Sequence, residues 1–315
     1  MLTMILKRLI RGVITVVLVT VLIFVLLRVV PGDPAALLAG DDATPETIEQ
    51  IRVAWGLDKP ILEQFFIYVG NLIRGNAGMS YQYRTNFSHE LVWTVTDLVK
   101  TRLPYTILLA SSALLINIVV ALPLGVLTAM KKGSLLDNTV MGLGSVILAF
   151  PHFFIGLIYI LLFAITLKWV PAGGSGTFRH LLLPAFTLSM HYNVQLTRLT
   201  RTEIGQNLAS DYIRMCRAKG LSQYRVLFVH GLRNAAIPVV TMLGLRFGTM
   251  MGGSVVVESL FRWPGIGSLL IDAVNTRDYP TVQYLVPYVA VVFIVVNIVV
   301  DILYGILDPR IRNKS

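Results

Sequence analysis

Long apolar stretches alternate with shorter polar segments along the whole chain. A helix of about 20 mostly apolar residues crosses the roughly 30 Å of hydrocarbon in a bilayer. Six stretches meet this requirement, at approximately Leu9–Val30, Leu103–Met130, Val140–Leu167, Leu181–Leu199, Ala236–Val257 and Tyr284–Leu307. The pattern therefore predicts an all-α polytopic membrane protein with six transmembrane helices.

The first apolar stretch follows Lys7, Arg8 and Arg11, much as the apolar part of a signal peptide follows basic residues. Its apolar run is longer than that of a signal peptide, and no small-residue cleavage site comes after it. We expect residues 1–30 to be retained as an N-terminal anchor helix.

The basic residues indicate how the predicted helices are oriented in the membrane. They cluster before the first stretch, after the second, between the fourth and fifth, and after the sixth. The clusters contain Lys7, Arg8 and Arg11; Lys131 and Lys132; Arg198, Arg201, Arg214, Arg217, Lys219, Arg225 and Arg233; and Arg310, Arg312 and Lys314. Six alternating helices place all four clusters on one side, and basic loops mark the cytoplasmic side. Both termini are therefore predicted to be cytoplasmic.

The composition agrees with a membrane protein. Of the 315 residues, 55% are hydrophobic and only 14% are charged, which is too apolar for a soluble domain of this size. The net charge of +10 is explained by the cytoplasmic clusters, so we do not expect nucleic-acid binding. Cys216 is the single cysteine, which excludes an intramolecular disulfide and any cluster of thiolate metal ligands.

The polar segment at residues 31–102 is too long for a simple connection on the outer side. Thr44, Pro45 and Glu46 are typical of a helix start, and Ile61–Ile73 has the apolar spacing of an amphipathic helix. We expect both helices to lie on the outer surface of the bundle or among the lipid headgroups.

The chain lacks the motifs of a nucleotide-hydrolysing enzyme. The dipeptide Gly-Lys never occurs, so no Walker-type phosphate loop is possible. His89 and Glu90 are not followed by the second histidine of a zinc-protease helix. We therefore expect a transport subunit that is not an enzyme and draws its energy from a partner. A passive channel and an intramembrane enzyme are the alternative classes.

The polar loop between the fourth and fifth apolar stretches predicts a short helix. Asp211 is suited to cap its start, and Gly220 is suited to end it in the left-handed conformation. Such a projection on the cytoplasmic face could dock in a groove of another protein. The alternative is a solvated basic loop that only follows the positive-inside rule.

This loop resembles the coupling segment of binding-protein-dependent ABC importers, with its glycine at Gly220 and its late leucine at Leu232. It departs from the general pattern at Arg214, Met215 and Cys216, where that pattern has Glu-Ala-Ala. Further motifs resemble the dipeptide, oligopeptide and nickel branch, specifically its first-permease, B-type subunit. These motifs are Arg28–Ala35, Gly56–Pro60, Gly70–Gly75, Arg217–Gly220, His230–Ala235, Glu258–Gly267, Arg277–Pro280, Asp301–Gly305 and Asp308–Arg312.

The resemblance implies an ABC importer type I permease fold in the bacterial inner membrane. It implies an extracytoplasmic segment at 31–102 and a permease core of five helices at 103–315, with the coupling loop at 200–235. The implied partners are a second homologous permease subunit in a heterodimer, two ATP-binding cassette ATPase subunits, an extracytoplasmic solute-binding protein and membrane lipid. ATP and magnesium are expected on the ATPases, with no cofactor or metal on this chain. The residues implied in ATPase coupling are Asp211, Tyr212, Arg214, Arg217, Ala218, Lys219, Gly220 and Leu221.

The resemblance implies that the cargo is a short peptide. Nickel or another metal chelate, glutathione, and opine-like compounds are the alternative cargoes of the same branch. In such importers, selectivity resides largely in the binding protein.

Polar residues inside apolar stretches are costly, so each is a candidate for the pathway or for a helix contact. Arg246 could bind a carboxylate of the cargo through its planar guanidinium, or it could form an ion pair with Asp301. His191, Asn193 and Gln195 could line the same pathway, or they could form hydrogen bonds between helices.

Two further segments are predicted to have structural roles. Gly244, Gly248 and Gly252 recur every fourth residue, which favours close packing against a neighbouring helix or the second permease subunit. The loop around Phe261, Trp263, Pro264 and Gly265 is predicted either to fold back as an outer gate or to lie at the interface as an aromatic belt.

Overall fold

Helices make up most of the protein in the computed structural model. It describes residues 2–29, 33, 35–36, 43–54, 56–84, 92–222, 225–226 and 231–307. The helices are α1 (Leu2–Val29), α2 (Pro45–Ala54), α3 (Ile61–Ile73), α4 (Val95–Ile116), α5 (Leu122–Met130), α6 (Leu135–Ala149), α7 (His152–Tyr159), α8 (Phe178–Ala209), α9 (Asp211–Ala218), α10 (Leu232–Leu260), α11 (Ile266–Asn275) and α12 (Tyr279–Leu307). Two π-helical segments, Asn117–Ala121 and Ile160–Thr166, extend α4 and α7.

The chain packs as two compact units. The core unit contains Met1–Ile5, Tyr105–Ser268 and Val295–Ser315, and the N-terminal unit contains Leu6–Pro104 and Leu269–Ile294. The long helices α4 and α12 contribute to both.

Helix α8 is the central element of the core unit. It contacts α5, α6, α7, α10 and the π-helical segment Asn117–Ala121. Its 32 residues correspond to about 48 Å at 1.5 Å per residue, which exceeds the thickness of the hydrocarbon. Close packing is possible because glycines face it: a Cβ on Gly144 would lie 2.8 Å from Val194 Cγ1.

Three of the described helices are long and apolar enough to cross a membrane, at Leu6–Val29, Val95–Met130 and Tyr279–Val300. If each of two bent helix pairs is counted as one crossing, the number rises to five. The predicted fourth crossing at Leu181–Leu199 lies within α8, which is long enough but rich in polar residues. Because other helices surround α8, its faces need not be apolar. A sixth crossing by α8 therefore stays a prediction.

The crossing predicted at Val140–Leu167 is not one continuous helix. The structure has two helices there, α6 and α7 with its π-helical extension, which meet at an angle of 107°. Phe150 adopts an extended conformation (φ −101°, ψ 143°) directly before Pro151. A residue before proline is kept out of the helical region, and proline cannot donate a backbone hydrogen bond.

The N-terminal unit contains the two amphipathic helices that the sequence predicts. The Thr44 hydroxyl accepts a hydrogen bond from the Thr47 amide at 3.3 Å, which confirms the predicted start of α2. The predicted bounds of α3 are also confirmed, and α3 packs on α1 through Phe24, which stacks on Tyr68 with ring centroids 5.7 Å apart.

A small antiparallel sheet interrupts the predicted all-helical architecture. Strand β1 (Met79–Arg84) pairs with β2 (Val92–Thr94) directly before α4. The sheet connects to α12 through Ser80, whose hydroxyl donates to the buried carboxylate of Asp278. The Asp278 carboxylate also accepts the Thr281 hydroxyl at 2.8 Å, so it caps the first turn of α12.

Candidate functional site

Helix α9 is a short projection that follows the long helix α8. Ser210 occupies the N-cap position, with an extended backbone at ψ 152°, and its carbonyl accepts the Ile213 amide at 3.1 Å. The prediction that Asp211 caps this helix is therefore wrong, because Asp211 is already the first helical residue. Gly220 has φ +78°, which confirms the predicted left-handed end.

One side of α9 anchors the helix to its own chain. Ile213 and Cys216 are buried and pack against Val226, Leu208 and Leu221. Leu221, which the resemblance assigns to ATPase coupling, is half-buried in this cluster. The apolar cluster fixes the orientation of α9 relative to the end of α8.

The other side of α9 is exposed. Tyr212 is 45% exposed and Met215 is 54% exposed. The remaining residues that the resemblance assigns to coupling are also exposed: Asp211, Arg214, Arg217, Ala218, Lys219 and Gly220. The arrangement leaves an apolar and basic surface that is held rigidly and available to a partner protein.

An ion pair connects α8 to α6 about three turns before the start of α9. Arg201 Nε donates to Asp137 Oδ1 at 2.6 Å, and Arg201 NH2 donates to Asp137 Oδ2 at 2.7 Å. The Asp137 side chain is 1% exposed, and Oδ2 also accepts the Gly133 amide at 2.8 Å. No local sequence pattern predicts this pair, since its partners are 64 residues apart.

The predicted pathway residues of α8 lie inside the core unit. His191 Nε2 donates to the Phe150 carbonyl at 2.8 Å, and its ring stacks on His152 with centroids 3.7 Å apart. Asn193 Nδ2 donates to Ser189 Oγ at 3.3 Å. The His191 bond thus joins two segments of the bundle, as the alternative predicts, whereas the Asn193 bond lies within α8.

Several buried polar atoms in this region find no hydrogen-bond partner among the described residues. They include Asn193 Oδ1, Gln195 Oε1, Asn117 Oδ1 and the Nδ1 atoms of His152 and His191. An unpaired buried polar group costs about 1–3 kcal/mol, so such atoms mark places where water or a polar ligand gains hydrogen bonds. The described residues contain no group of three histidine, cysteine or acidic side chains that could hold a metal.

Arg246 of α10 lies against α8. Its guanidinium carbon is 5.6 Å from the centre of the Tyr192 ring, a cation–π contact. None of the carboxylates that the structure describes forms an ion pair with it. The side chain of Asp301, its predicted alternative partner, lies outside the described residues.

The three glycines of α10 differ in their surroundings. A Cβ on Gly248 would lie 2.8 Å from Asn297 Oδ1, so this glycine allows α10 to approach α12. Gly252 has no heavy atom within 4 Å of that position and faces open space. Gly244 is half-buried.

The loop after α10 folds inward. Phe261 is fully buried and Trp263 is 3% exposed, so these rings do not form the alternative aromatic belt. Trp263 Nε1 donates to the Tyr105 carbonyl at 3.0 Å, and the Phe261 carbonyl accepts the Gly174 amide at 2.8 Å. Gly265 follows in the buried part of the same loop.

Asp33 has a structural role that the motif alone does not show. Its Oδ2 accepts from Arg52 NH2 at 2.6 Å, and its Oδ1 accepts the Ala35 amide at 3.0 Å. This hydrogen bond raises the pKa of Arg52. The contact connects Asp33, which follows α1 in the sequence, to α2.

Apolar helices surround a long polar helix that carries a short anchored projection at its end. Residues 121–313 match the family described as the binding-protein-dependent transport system inner membrane component, and residues 1–110 match the N-terminal family of such membrane components. The chain belongs to this binding-protein-dependent permease family of the bacterial inner membrane.

Similar proteins are known in enteric bacteria. The chain is 38% identical over 314 residues to the glutathione transport system permease protein GsiC of Escherichia coli K12, and equally so to that of Shigella dysenteriae, with all of each chain covered. Among solved structures, an inward-facing MetNI methionine ABC transporter has a TM-score of 0.56 at 16% identity. That match covers 67% of this chain and 96% of the other, and it supports the importer permease fold.

Proposed function

We propose that this chain is one of two homologous permease subunits in a heterodimeric importer of short peptides. Two ATPase subunits carry ATP and magnesium, and an extracytoplasmic solute-binding protein delivers the cargo. Family membership supports a partnership with ATPase and substrate-binding components. The observation that carries the assignment is α9, which is anchored on one side and exposed on the other.

The exposed side of α9 is the proposed contact with an ATPase. Tyr212 and Met215 supply apolar area, and Arg214 and Arg217 supply positive charge. The buried cluster of Ile213 and Cys216 ties α9 to Leu208, at the end of α8. A displacement of α9 is therefore transmitted to α8 as a rigid element.

From α8, the movement is transmitted to the rest of the core unit by tight contacts. The two-point ion pair between Arg201 and Asp137 connects α8 to α6. Gly125 of α5 lies so close to α8 that a Cβ on it would be 2.8 Å from Thr200 Cγ2. Interfaces this tight do not deform continuously, so the helices move together.

The proposed cargo is a short peptide, a class that includes the tripeptide glutathione. The relatives at 38% identity over the whole chain are named for glutathione transport, which favours a cargo of this size and charge. Arg246 is the proposed contact for a cargo carboxylate, because its guanidinium lies over an aromatic ring and retains donors for an anion. His191, Asn193 and Gln195 are the proposed polar residues beside it.

The remaining roles are proposed on the same basis. Phe261, Trp263, Pro264 and Gly265 form the proposed outer gate, supported by the burial of both rings. Gly248 allows close packing on α12, whereas Gly252 is the proposed contact with the second permease subunit. The proposed transport cycle alternates between an inward-facing and an outward-facing state, and the ATPases drive this change through α9.

The cargo is identified by purifying the complex with its native binding protein and analysing the bound ligand by mass spectrometry. Short peptides or glutathione are the expected ligands. Nickel with a small chelator, or an opine-like compound, would contradict the peptide assignment while leaving the importer class intact. The carboxylates of such a ligand would then be the groups that Arg246 meets.

A further inference from the structure

Glu258 lies in the last turn of α10, and its side chain is 0% exposed. None of the basic side chains that the structure describes forms an ion pair with it. A buried carboxyl group without a cation must be stabilised by hydrogen-bond donors. The identity of those donors shows what this residue does.

Three donors from two other elements surround the carboxyl group. Thr106 Oγ1 of α4 donates to Oε1 at 2.8 Å. The amides of Gly267 and Ser268, in the first turn of α11, donate to Oε2 at 2.7 and 3.1 Å. The carboxyl group therefore caps α11 with a side chain of another helix, satisfying amides that have no partner within α11.

Thr106 completes the arrangement. Its hydroxyl donates to Glu258 and accepts the Ile266 amide at 2.9 Å, so one side chain serves both α10 and α11. The loop between these helices is held at Trp263 as well, where the backbone amide donates to the Glu258 carbonyl at 2.8 Å. Helices α4, α10 and α11 thus meet at one residue.

The glycines of the loop leave room for the carboxyl group. A Cβ on Gly265 would collide with all three heavy atoms of the Glu258 carboxyl group. A Cβ on Gly267 would lie 2.8 Å from Glu258 Oε2 and would also approach Val255 Cα. Both glycines are required because the carboxyl group occupies the space where side chains would be.

We propose that Glu258 is the positioning residue of the outer gate, holding residues 261–265 and the start of α11 rigidly against α4. The loop then moves as one block with α10, the turn of α4 around Thr106 and the first turn of α11, and it does not open as a separate flap. This inference rests on the proposed gating role of the loop. It assigns the role to a residue whose side chain does not line the loop's surface.

Backbone hydrogen exchange tests this inference in the assembled complex. Peptides covering residues 258–268 are compared by mass spectrometry between Thr106→Val and Thr106→Ser. Valine has nearly the shape of threonine but lacks the hydroxyl, whereas serine keeps it. We expect exchange at the Ile266, Gly267 and Ser268 amides to be about tenfold faster in Thr106→Val and nearly unchanged in Thr106→Ser.

Glu258→Ala removes every contact at once, and we expect at least a tenfold acceleration of exchange in the same peptides. Glu63→Ala, at an exposed glutamate of α3, is the matched control and should leave these peptides unchanged. Equal exchange in Thr106→Val and Thr106→Ser would overturn the inference, even if Glu258→Ala fails to assemble. Rapid exchange of residues 261–268 in the wild-type complex during ATP turnover would overturn it too.

The proposed transport function is tested separately by ATP-dependent uptake of the wild-type complex. A protected loop in a complex without uptake would contradict the transport assignment only. Normal uptake together with rapid hydrogen exchange in residues 261–268 would contradict only the positioning role of Glu258.

Discussion

The guanidinium of Arg201 and the carboxylate of Asp137 face each other as a two-point ion pair between α8 and α6, with N–O distances of 2.6 and 2.7 Å. The pair connects the helix that carries α9 to α6 within the core unit. Its geometry uses both oxygens of the carboxylate and two nitrogens of the guanidinium, which lysine cannot reproduce.

Asp137→Asn should destabilise the permease, because it leaves the Arg201 guanidinium without its charged partner. Thermal unfolding of the purified complex measures this loss. The double variant Asp137→Leu, Arg201→Leu is the control, and it should recover most of the lost stability. The single variants Asp137→Leu and Arg201→Leu complete the comparison. If their losses of stability add up to the loss in the double variant, the two side chains do not stabilise each other.

Arg201→Lys should keep the charge and lose the two-point geometry. We expect assembly to persist while ATP-driven uptake falls more than ATP hydrolysis, because α8 is less tightly connected to α6. The ratio of cargo transported to ATP hydrolysed measures this effect. An unchanged ratio would contradict the role of the pair in transmitting movement.

Ala218→Asp should weaken binding of the ATPase subunit, because a carboxylate on the exposed side of α9 disturbs the proposed docking surface and lies unfavourably at a helix C-terminus. Co-purification of the ATPase with the permease measures the loss. Ser222→Asp is the control, since it adds the same charge at an exposed position beyond the helix. If both variants retain the ATPase equally, α9 is not the docking surface.

Arg246→Gln should abolish uptake of anionic cargo while the complex assembles normally, because glutamine retains hydrogen bonding but loses the positive charge. Uptake assays and size-exclusion chromatography separate the two effects. Arg246→Lys is the control and should keep part of the activity. A loss of assembly in Arg246→Gln would favour the structural ion pair over cargo binding.

Gly252→Leu should impair association with the second permease subunit, because the leucine fills space that the described chain leaves open at this position. Gly142→Leu in α6 is the control, since that glycine also faces open space. Co-purification of the two permeases measures the difference. Normal association in Gly252→Leu would place this glycine outside the subunit interface.

Features with a local cause were predictable from the sequence. The apolar run of α1, the amphipathic spacing of α3 and the left-handed turn at Gly220 each depend on residues adjacent in the chain. Contacts between residues far apart in the sequence were not predictable. Asp137 and Arg201 are 64 residues apart, and Thr106 and Glu258 are 152 apart, so no local pattern brings either pair together.

Two other features of the structure have local signals in the sequence. The alternation in Met79–Arg84 is typical of a strand, but the segment is too short to stand out beside the helices. Pro151 lies inside the predicted crossing Val140–Leu167, and the extended Phe150 before it separates two helices. Hydropathy averages over such a bend because both sides of it are apolar.

The most direct test of the central claim is cargo uptake by the complete complex in proteoliposomes, with the binding protein outside and ATP inside. We predict uptake of short peptides or glutathione that requires ATP and the binding protein and is lost in Ala218→Asp. Uptake that proceeds down a gradient without ATP or the ATPase subunits would contradict the account and identify a passive channel.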